Sequence, residues 1–344
     1  FGFFAQQKQF CFSGSLKDYI QIKSTKRAAS VVMAMIVAII STQIFASIFD
    51  IDLSSSSYFK SNINYFAIII GGALFGAGMM IADGCSSRSI VKFSQGDANA
   101  LVTLLFIAIF AFASTKGILF GVVNGFINNQ FMIDISSNLS NFTLNIYFVL
   151  AILVLLLAYF VKKVKRVFSL YDGVIIGFLI GFAWFISGYI GDESIEKEIQ
   201  VQALSYVFPS AKTLEFFTSY EVTELSIGVC IVLGAAFGAY FSTFFNKKYS
   251  FGCTSKMNFN KLKYNMIGGS MMGIGGIMAI GCTVGQGLSG ISTLVFSSFL
   301  AIISIGVSGF ITGKILYKKD KLPMCFLFEW EDDDKKQKPL DYEI

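Results

Sequence analysis

The sequence predicts an all-α polytopic membrane protein built on an internal repeat, and three observations carry that prediction. Of its 344 residues, 54% are hydrophobic and only 14% are charged, against about a quarter charged in ordinary soluble domains. Apolar runs of about twenty residues recur along the chain, the length needed to cross roughly 30 Å of hydrocarbon. A Gly-rich segment ending in Cys occurs twice, as GGALFGAGMMIADGC at 71–85 and GGSMMGIGGIMAIGC at 268–282. Gly71/Gly268, Gly72/Gly269, Gly76/Gly273, Gly78/Gly275, Ala82/Ala279, Gly84/Gly281 and Cys85/Cys282 coincide without a gap at an offset of 197.

The apolar spans fall near 28–49, 65–84, 101–123, 144–161, 173–191, 226–245, 266–282 and 290–317. Charge between them alternates. Lys8, Lys17, Lys23, Lys26 and Arg27 precede the first span, and Arg88 and Lys92 follow the second. Lys162, Lys163, Lys165 and Arg166 follow the fourth, and Lys247, Lys248, Lys256, Lys261 and Lys263 follow the sixth. Lys318, Lys319 and Lys321 open the tail. The intervening segments carry Asp50, Asp52 and Asp134, and then the acidic stretch 192–225. Basic loops face the cytoplasm. Residues 1–27 and the tail 322–344 are therefore placed inside, and 192–225 becomes an extracellular segment.

With that alternation the first Gly–Cys segment runs inward and the second outward, which predicts an inverted repeat. The halves are 1–161 and 162–321, followed by the cytoplasmic tail. Transporters with inverted repeats bind substrate near the midplane at the repeat interface, often through broken helices. The string TVGQGLSG at 283–290 has three glycines after Gly281 and cannot be a regular helix interior. The short apolar stretch 86–94 is a candidate second limb of the first break. Irregular backbone at that depth is tolerable only where it lines a cavity or is packed in protein.

Small-residue stripes at Gly117/Gly121/Gly125, Gly173/Gly177/Gly181, Gly234/Gly238 and Gly309/Gly313 are read as helix-packing faces. Gly84 and Gly281 differ, because they sit where a helix ends and freed backbone amides could meet an anion. Gln286 could donate to such a ligand or cap a helix. Arg88 reads as a membrane-edge anchor or a vestibule charge, and Asp83 as a proton-coupling carboxylate or a partner for Arg88.

The chain has no His, which excludes His-ligated metal and any triad with a His base. Its six cysteines, at 11, 85, 230, 253, 282 and 325, form no CxxC pair, so no metal or other cofactor is expected. Cys230 and Cys325 read as packing residues. Cys85 and Cys282 stand apart because they recur at the same break. Nothing points to a nucleic-acid partner; the lipid bilayer is the expected surrounding.

The segments FCFSGSLKD at 10–18, GGALFGAGM…DGC at 71–85 and IGCTVGQGLSG at 280–290 resemble the YeeE/YedE sulfur-transport family of bacterial inner-membrane proteins. The resemblance covers nearly the whole chain. It implies an hourglass-like pathway of transmembrane and re-entrant short helices, thiosulfate or a related sulfur or selenium compound as substrate, and a TusA-like sulfur carrier as cytoplasmic partner. It also implies that Cys11, Cys85 and Cys282 line the path, and that a further helix precedes the first of these motifs.

Neutral thiols suit such a substrate. Thiosulfate is a dianion with a soft terminal sulfur, and a thiol is an uncharged, weak S–H donor. Conduction needs binding that is favourable yet weak and repeated, which fixed Lys or Arg at the centre would prevent. Apolar surroundings keep a thiol protonated, whereas a helix N-terminus aimed at it favours the thiolate. The pathway set is thus Cys11, Cys85, Cys282, Gly84, Gly281, Gln286 and Arg88. The competing reading from another class is a membrane sulfurtransferase with a persulfide-forming cysteine.

Overall fold

A computed structural model describes residues 1–59, 64–82, 84–128, 145–162, 170–191, 201–218, 226–246 and 259–322. In chain order its α-helices are α1 (Gly2–Lys8), α2 (Phe12–Ile22), α3 (Lys26–Ile48), α4 (Tyr65–Ile81), α5 (Ser86–Ser94), α6 (Ala98–Thr115), α7 (Phe120–Asn128), α8 (Ile146–Val161), α9 (Tyr171–Phe185), α10 (Val207–Thr218), α11 (Ile227–Asn246), α12 (Phe259–Met278) and α13 (Phe296–Lys318). No strand occurs among the described residues. Among the described residues, six helices, counting α4 with α5 as one run, are long and apolar enough to cross a membrane by length and composition.

Local sequence explains where these helices begin. Asn64 accepts from the Phe66 and Ala67 amides at 3.0 and 3.3 Å, Asp97 from Asn99 at 2.9 Å, and Asn145 from Tyr147 at 3.1 Å. Each side chain satisfies amides that a helix start leaves without partners. Leu155 on α8 and Phe245 on α11 stay about seven-tenths exposed. Outward apolar faces of this kind are what a bilayer covers.

The centre is the packing of α4 on α12. A Cβ at Gly71 would lie 2.6 Å from the Met278 Cβ and 2.8 Å from the Gly275 carbonyl oxygen. A Cβ at Gly78 would lie 2.7 Å from the Gly268 carbonyl oxygen. The helices therefore run antiparallel and in backbone contact. The pairs Gly71–Gly275 and Gly78–Gly268 also exchange under the 197-residue offset.

The next layer repeats that exchange. Gly72 faces the Ser304 Cβ and the Ala301 carbonyl on α13, and Gly269 faces the Phe106 Cβ and the Thr103 carbonyl on α6. Gly76 faces the Ile305 carbonyl and the Gly309 amide, and Gly273 the Ile107 carbonyl and the Ala111 amide. Here the matching residues of α6 and α13 differ by 198, one more than in the Gly–Cys segments. The second copy carries a π-helical turn between these elements, Gly285–Gly290. A π turn accommodates one extra residue and is common at functional sites.

The stripe Gly173/Gly177/Gly181 packs on α3, against Ser30, Ala34 and Ser41, as a small-residue face should. Gly309 and Gly313 also pack, the latter against Ile20 of α2. Gly121, Gly125 and Gly234 do not: nothing lies within 4 Å of a Cβ built on them. The run 101–123 is two helices, because the chain turns between Thr115 and Phe120.

Two segments outside the predicted spans contain helix. Residues 2–22 form α1 and α2, where Lys17 is buried, and Arg27 is buried in the first turn of α3. The acidic stretch 192–225 contains α10, which packs on α6 and α11. Its acidic residues lie at 192–198 and 215–224, while the intervening Ala203, Tyr206, Val207 and Ala211 are buried. Counting charge over the whole stretch hid that apolar centre. Lys116 at the end of α6 pairs with Glu215 of α10 at 2.6 Å and holds its carboxyl below the ordinary range.

Candidate functional site

Each of Cys11, Cys85 and Cys282 directly precedes a helical segment. Cys11 caps α2 and accepts from the Gly14 amide at 3.3 Å. Cys85 is the N-cap residue of α5, in extended conformation and with no side-chain hydrogen bond to the helix start. Cys282 accepts from the Gly285 amide at 3.3 Å, at the start of the helical run containing the π turn. At Cys11 and Cys282 the sulfur receives the amide three residues on. Their positions directly before helical segments place all three thiols at positive helix ends.

The breaks that expose those helix starts depend on glycine. Gly84 has φ 155° and Gly281 φ 159°, conformations that residues with a Cβ rarely adopt. Ile280 beside it has φ 59°, an outlier for a β-branched residue. Each break ends one helix and starts another. A Cβ at Gly84 would lie 3.3 Å from the Arg88 Cγ, and one at Gly281 3.2 Å from the Gln286 Cγ. Arg88 and Gln286 are therefore structural counterparts, a pairing that the extra residue conceals in sequence.

All three thiols are buried, and Cys85 interacts electrostatically with both Cys11 and Cys282. Cys11 and Cys85 are within hydrogen-bonding reach of each other, and Cys85 lies 3.3 Å from the Ser87 hydroxyl. The Thr283 hydroxyl faces the Cys85 thiol, and the Ser86 hydroxyl faces the Cys282 thiol. These two contacts exchange under the 197-residue offset. None of the three cysteines is more than 4% exposed, whereas Cys230 is exposed on α11. Asp83, Cys253 and Cys325 lie outside the described residues, as does the tail from 323 onward.

Charge is unevenly distributed around this cluster. On the Cys11 side, Arg88 is buried and interacts electrostatically with Cys11 and with Arg27. Arg27 contacts Asp18 at 3.3 Å and donates to the Gln9 side chain at 3.1 Å. On the Cys282 side stand Tyr58, Tyr206 and Trp184, all buried. Tyr58 donates to the Gly285 carbonyl at 2.8 Å, and the Trp184 indole to Ser292 at 3.0 Å. Gln286 donates from Nε2 to the Ala279 carbonyl at 2.6 Å, so its amide caps the end of α12.

Arg27, Tyr58 and Tyr206 were not singled out by the sequence. Arg27 had been counted as a loop charge, and the tyrosines belong to no motif. Replacing Asp18 by Asn is expected to destabilise the fold by about 3 kcal/mol, because it leaves the buried Arg27 charge without its carboxylate. Thermal unfolding in detergent measures this, and an unchanged midpoint contradicts it.

The surroundings also revise the expected setting of the thiols. Ser, Thr and Arg side chains and helix amides meet them, where apolar, Gly-rich packing had been expected.

The family model described as sulphur transport matches residues 8–311. The thiosulfate transporter TsuA of Escherichia coli (strain K12) is 20% identical over 329 residues, covering 88% of each chain. The thiosulfate transporter TsuA of Spirochaeta thermophila is 23% identical over 364 residues, covering 93% of this chain and 97% of the relative. With most of its length inside the family match and a helical membrane fold, this chain belongs to the sulphur transport family.

Proposed function

We propose that the protein imports thiosulfate, or a closely related sulfur-containing anion, by passing it between Cys11, Cys85 and Cys282. The observation that carries this reading is the burial of three thiols, Cys85 interacting with both others, each at the positive end of a helical segment. Helix ends attract an anion without placing a full charge on the path, and S–H groups offer weak, repeated contacts to a soft sulfur. Gly84 and Gly281 keep the helix starts open, Gln286 braces the second break, and Arg88 draws the anion towards Cys11. The protein acts as a transporter and not as an enzyme, in the inner membrane, with the tail cytoplasmic.

Residues 1–161 and 162–321 are the two halves of an inverted repeat in this proposal, and the reciprocal packing of α4 and α12 supports it. A TusA-like sulfur carrier is the cytoplasmic partner in this proposal. The test is uptake of labelled thiosulfate by cells lacking other sulfur importers, with sulfate and selenite as competitors. Saturable uptake resisting excess sulfate is expected; no uptake above vector control contradicts the proposal, and displacement by selenite redirects it to a selenium compound.

One observation favours a second reading. Helix ends that favour an anion also favour a thiolate, the form needed for persulfide chemistry. Mass spectrometry of the purified protein after exposure to thiosulfate separates the two. Unmodified cysteines are expected; a persulfide on Cys85 or Cys282 supports the sulfurtransferase.

A further inference from the structure

We propose that the hydroxyls of Tyr206, Ser86 and Thr283 bind the oxygens of the transported anion, while the thiols meet its terminal sulfur. This inference rests on the sulfur-anion reading and extends it to side chains other than the cysteines.

Ser86 and Thr283 each follow a pathway cysteine, and each faces the thiol of the other copy. Tyr206 directly precedes α10, as Cys11 directly precedes α2. The two helices are also packed equivalently: α2 rests on α13 and α3, and α10 on α6 and α11. Tyr206 therefore stands in the second copy where Cys11 stands in the first. Its amide points to the Cys282 sulfur, and its hydroxyl is in electrostatic contact with both Cys282 and Cys85.

All three side chains are at least 97% buried: Ser86 and Tyr206 are 0% exposed and Thr283 3%. The Tyr206 hydroxyl has no hydrogen-bond partner, and those of Ser86 and Thr283 have none beyond the thiols they face. The Ser289 and Ser292 hydroxyls are satisfied, while those of Ser56 and Ser298 also lack partners. Ser289 donates to the Leu204 carbonyl at 2.8 Å, and Ser292 to the Ser289 carbonyl at 2.7 Å. An unsatisfied buried hydroxyl costs about 1–3 kcal/mol, and native proteins hold few of them. One such hydroxyl and two that meet nothing but a thiol, all around one pair of thiols, are accounted for by a ligand that accepts from all of them.

The chemistry selects that ligand. A hydroxyl donates without carrying charge, so it can hold a dianion without trapping it. Hydrogen bonds to an ionised acceptor are roughly twice as strong as neutral ones. A phenol where the pairing would put a fourth thiol gives the site a soft side and a hard side. A tetrahedral oxyanion with one terminal sulfur presents both. Sulfate lacks the soft atom, and sulfide lacks the oxygens.

The test is concentration-dependent uptake of labelled thiosulfate by wild type, Tyr206→Phe, Ser86→Ala and Thr283→Ala, with the membrane amount of each measured by immunoblot. Tyr206→Phe removes the hydroxyl and keeps the ring. Its KM is expected to rise about tenfold, with the maximal rate per protein within about threefold of wild type, and the two alanine variants to behave similarly. A merely structural role lowers the protein amount or maximal rate and leaves KM unchanged. A wild type that transports while every variant present in the membrane keeps its KM overturns the assignment alone. A wild type that takes up no thiosulfate overturns the transport reading and this assignment with it. Should Tyr206→Phe be absent from the membrane, the two alanine variants decide by the same criterion.

Discussion

Replacing Cys85 or Cys282 by alanine is expected to lower thiosulfate uptake about a hundredfold at unchanged protein amount. Cys85 is the junction of the cluster. It reaches Cys11, contacts Ser87 and faces Thr283 of the other copy. Removing its sulfur therefore takes one donor from the anion and leaves a polar neighbour exposed to the gap. Cys282 holds the equivalent place opposite Ser86. Serine at either position keeps a hydroxyl donor but loses the soft atom, so intermediate rates are expected. Cys230→Ala is the control, because that residue lies exposed on α11. Wild-type uptake by both Cys85→Ala and Cys282→Ala would sink the thiol pathway.

Gly71→Leu and Gly268→Leu are each expected to cost at least about 3 kcal/mol, enough to remove most folded protein. A Cβ at Gly71 would lie 2.7 Å from the Ala279 amide nitrogen, and one at Gly268 2.6 Å from the Gly78 carbonyl oxygen. The obstacles are backbone atoms of the facing helix, so no rotamer change relieves them. The two positions are equivalent under the repeat, and their losses should agree within about 1 kcal/mol. Gly121→Leu on α7 has open space around it and should change little. Thermal unfolding and size-exclusion profiles in detergent test the set. A monodisperse Gly71→Leu protein with an unshifted melting midpoint contradicts the close packing of α4 on α12.

Some features of the site were legible in the sequence because local patterns mark them. A helix break needs glycine, and Gly84 and Gly281 stood beside a repeated cysteine. Other features had no such mark. Tyr206 lies 195 residues from Cys11, whereas the Gly–Cys segments differ by 197, so no fixed offset pairs them. Arg88 and Gln286 were separated by the extra residue near the π turn. Arg27 was misread because the chain carries its charge inward to Asp18 and Gln9, against the usual solvation of a basic segment.

The doubled Gly–Cys segment determined by itself that this is a helical membrane protein with two equivalent breaks, because hydrophobic length and glycine's backbone freedom act within one segment. Membership in the sulphur transport family was legible for the same reason, through short motifs. Only the tertiary structure decided what meets at the breaks. Thr283 lies by the Cys85 thiol and Ser86 by the Cys282 thiol only because the two segments pack together, and neither segment alone specifies that packing. The same packing brings the Tyr206 phenol to Cys282 and Cys85.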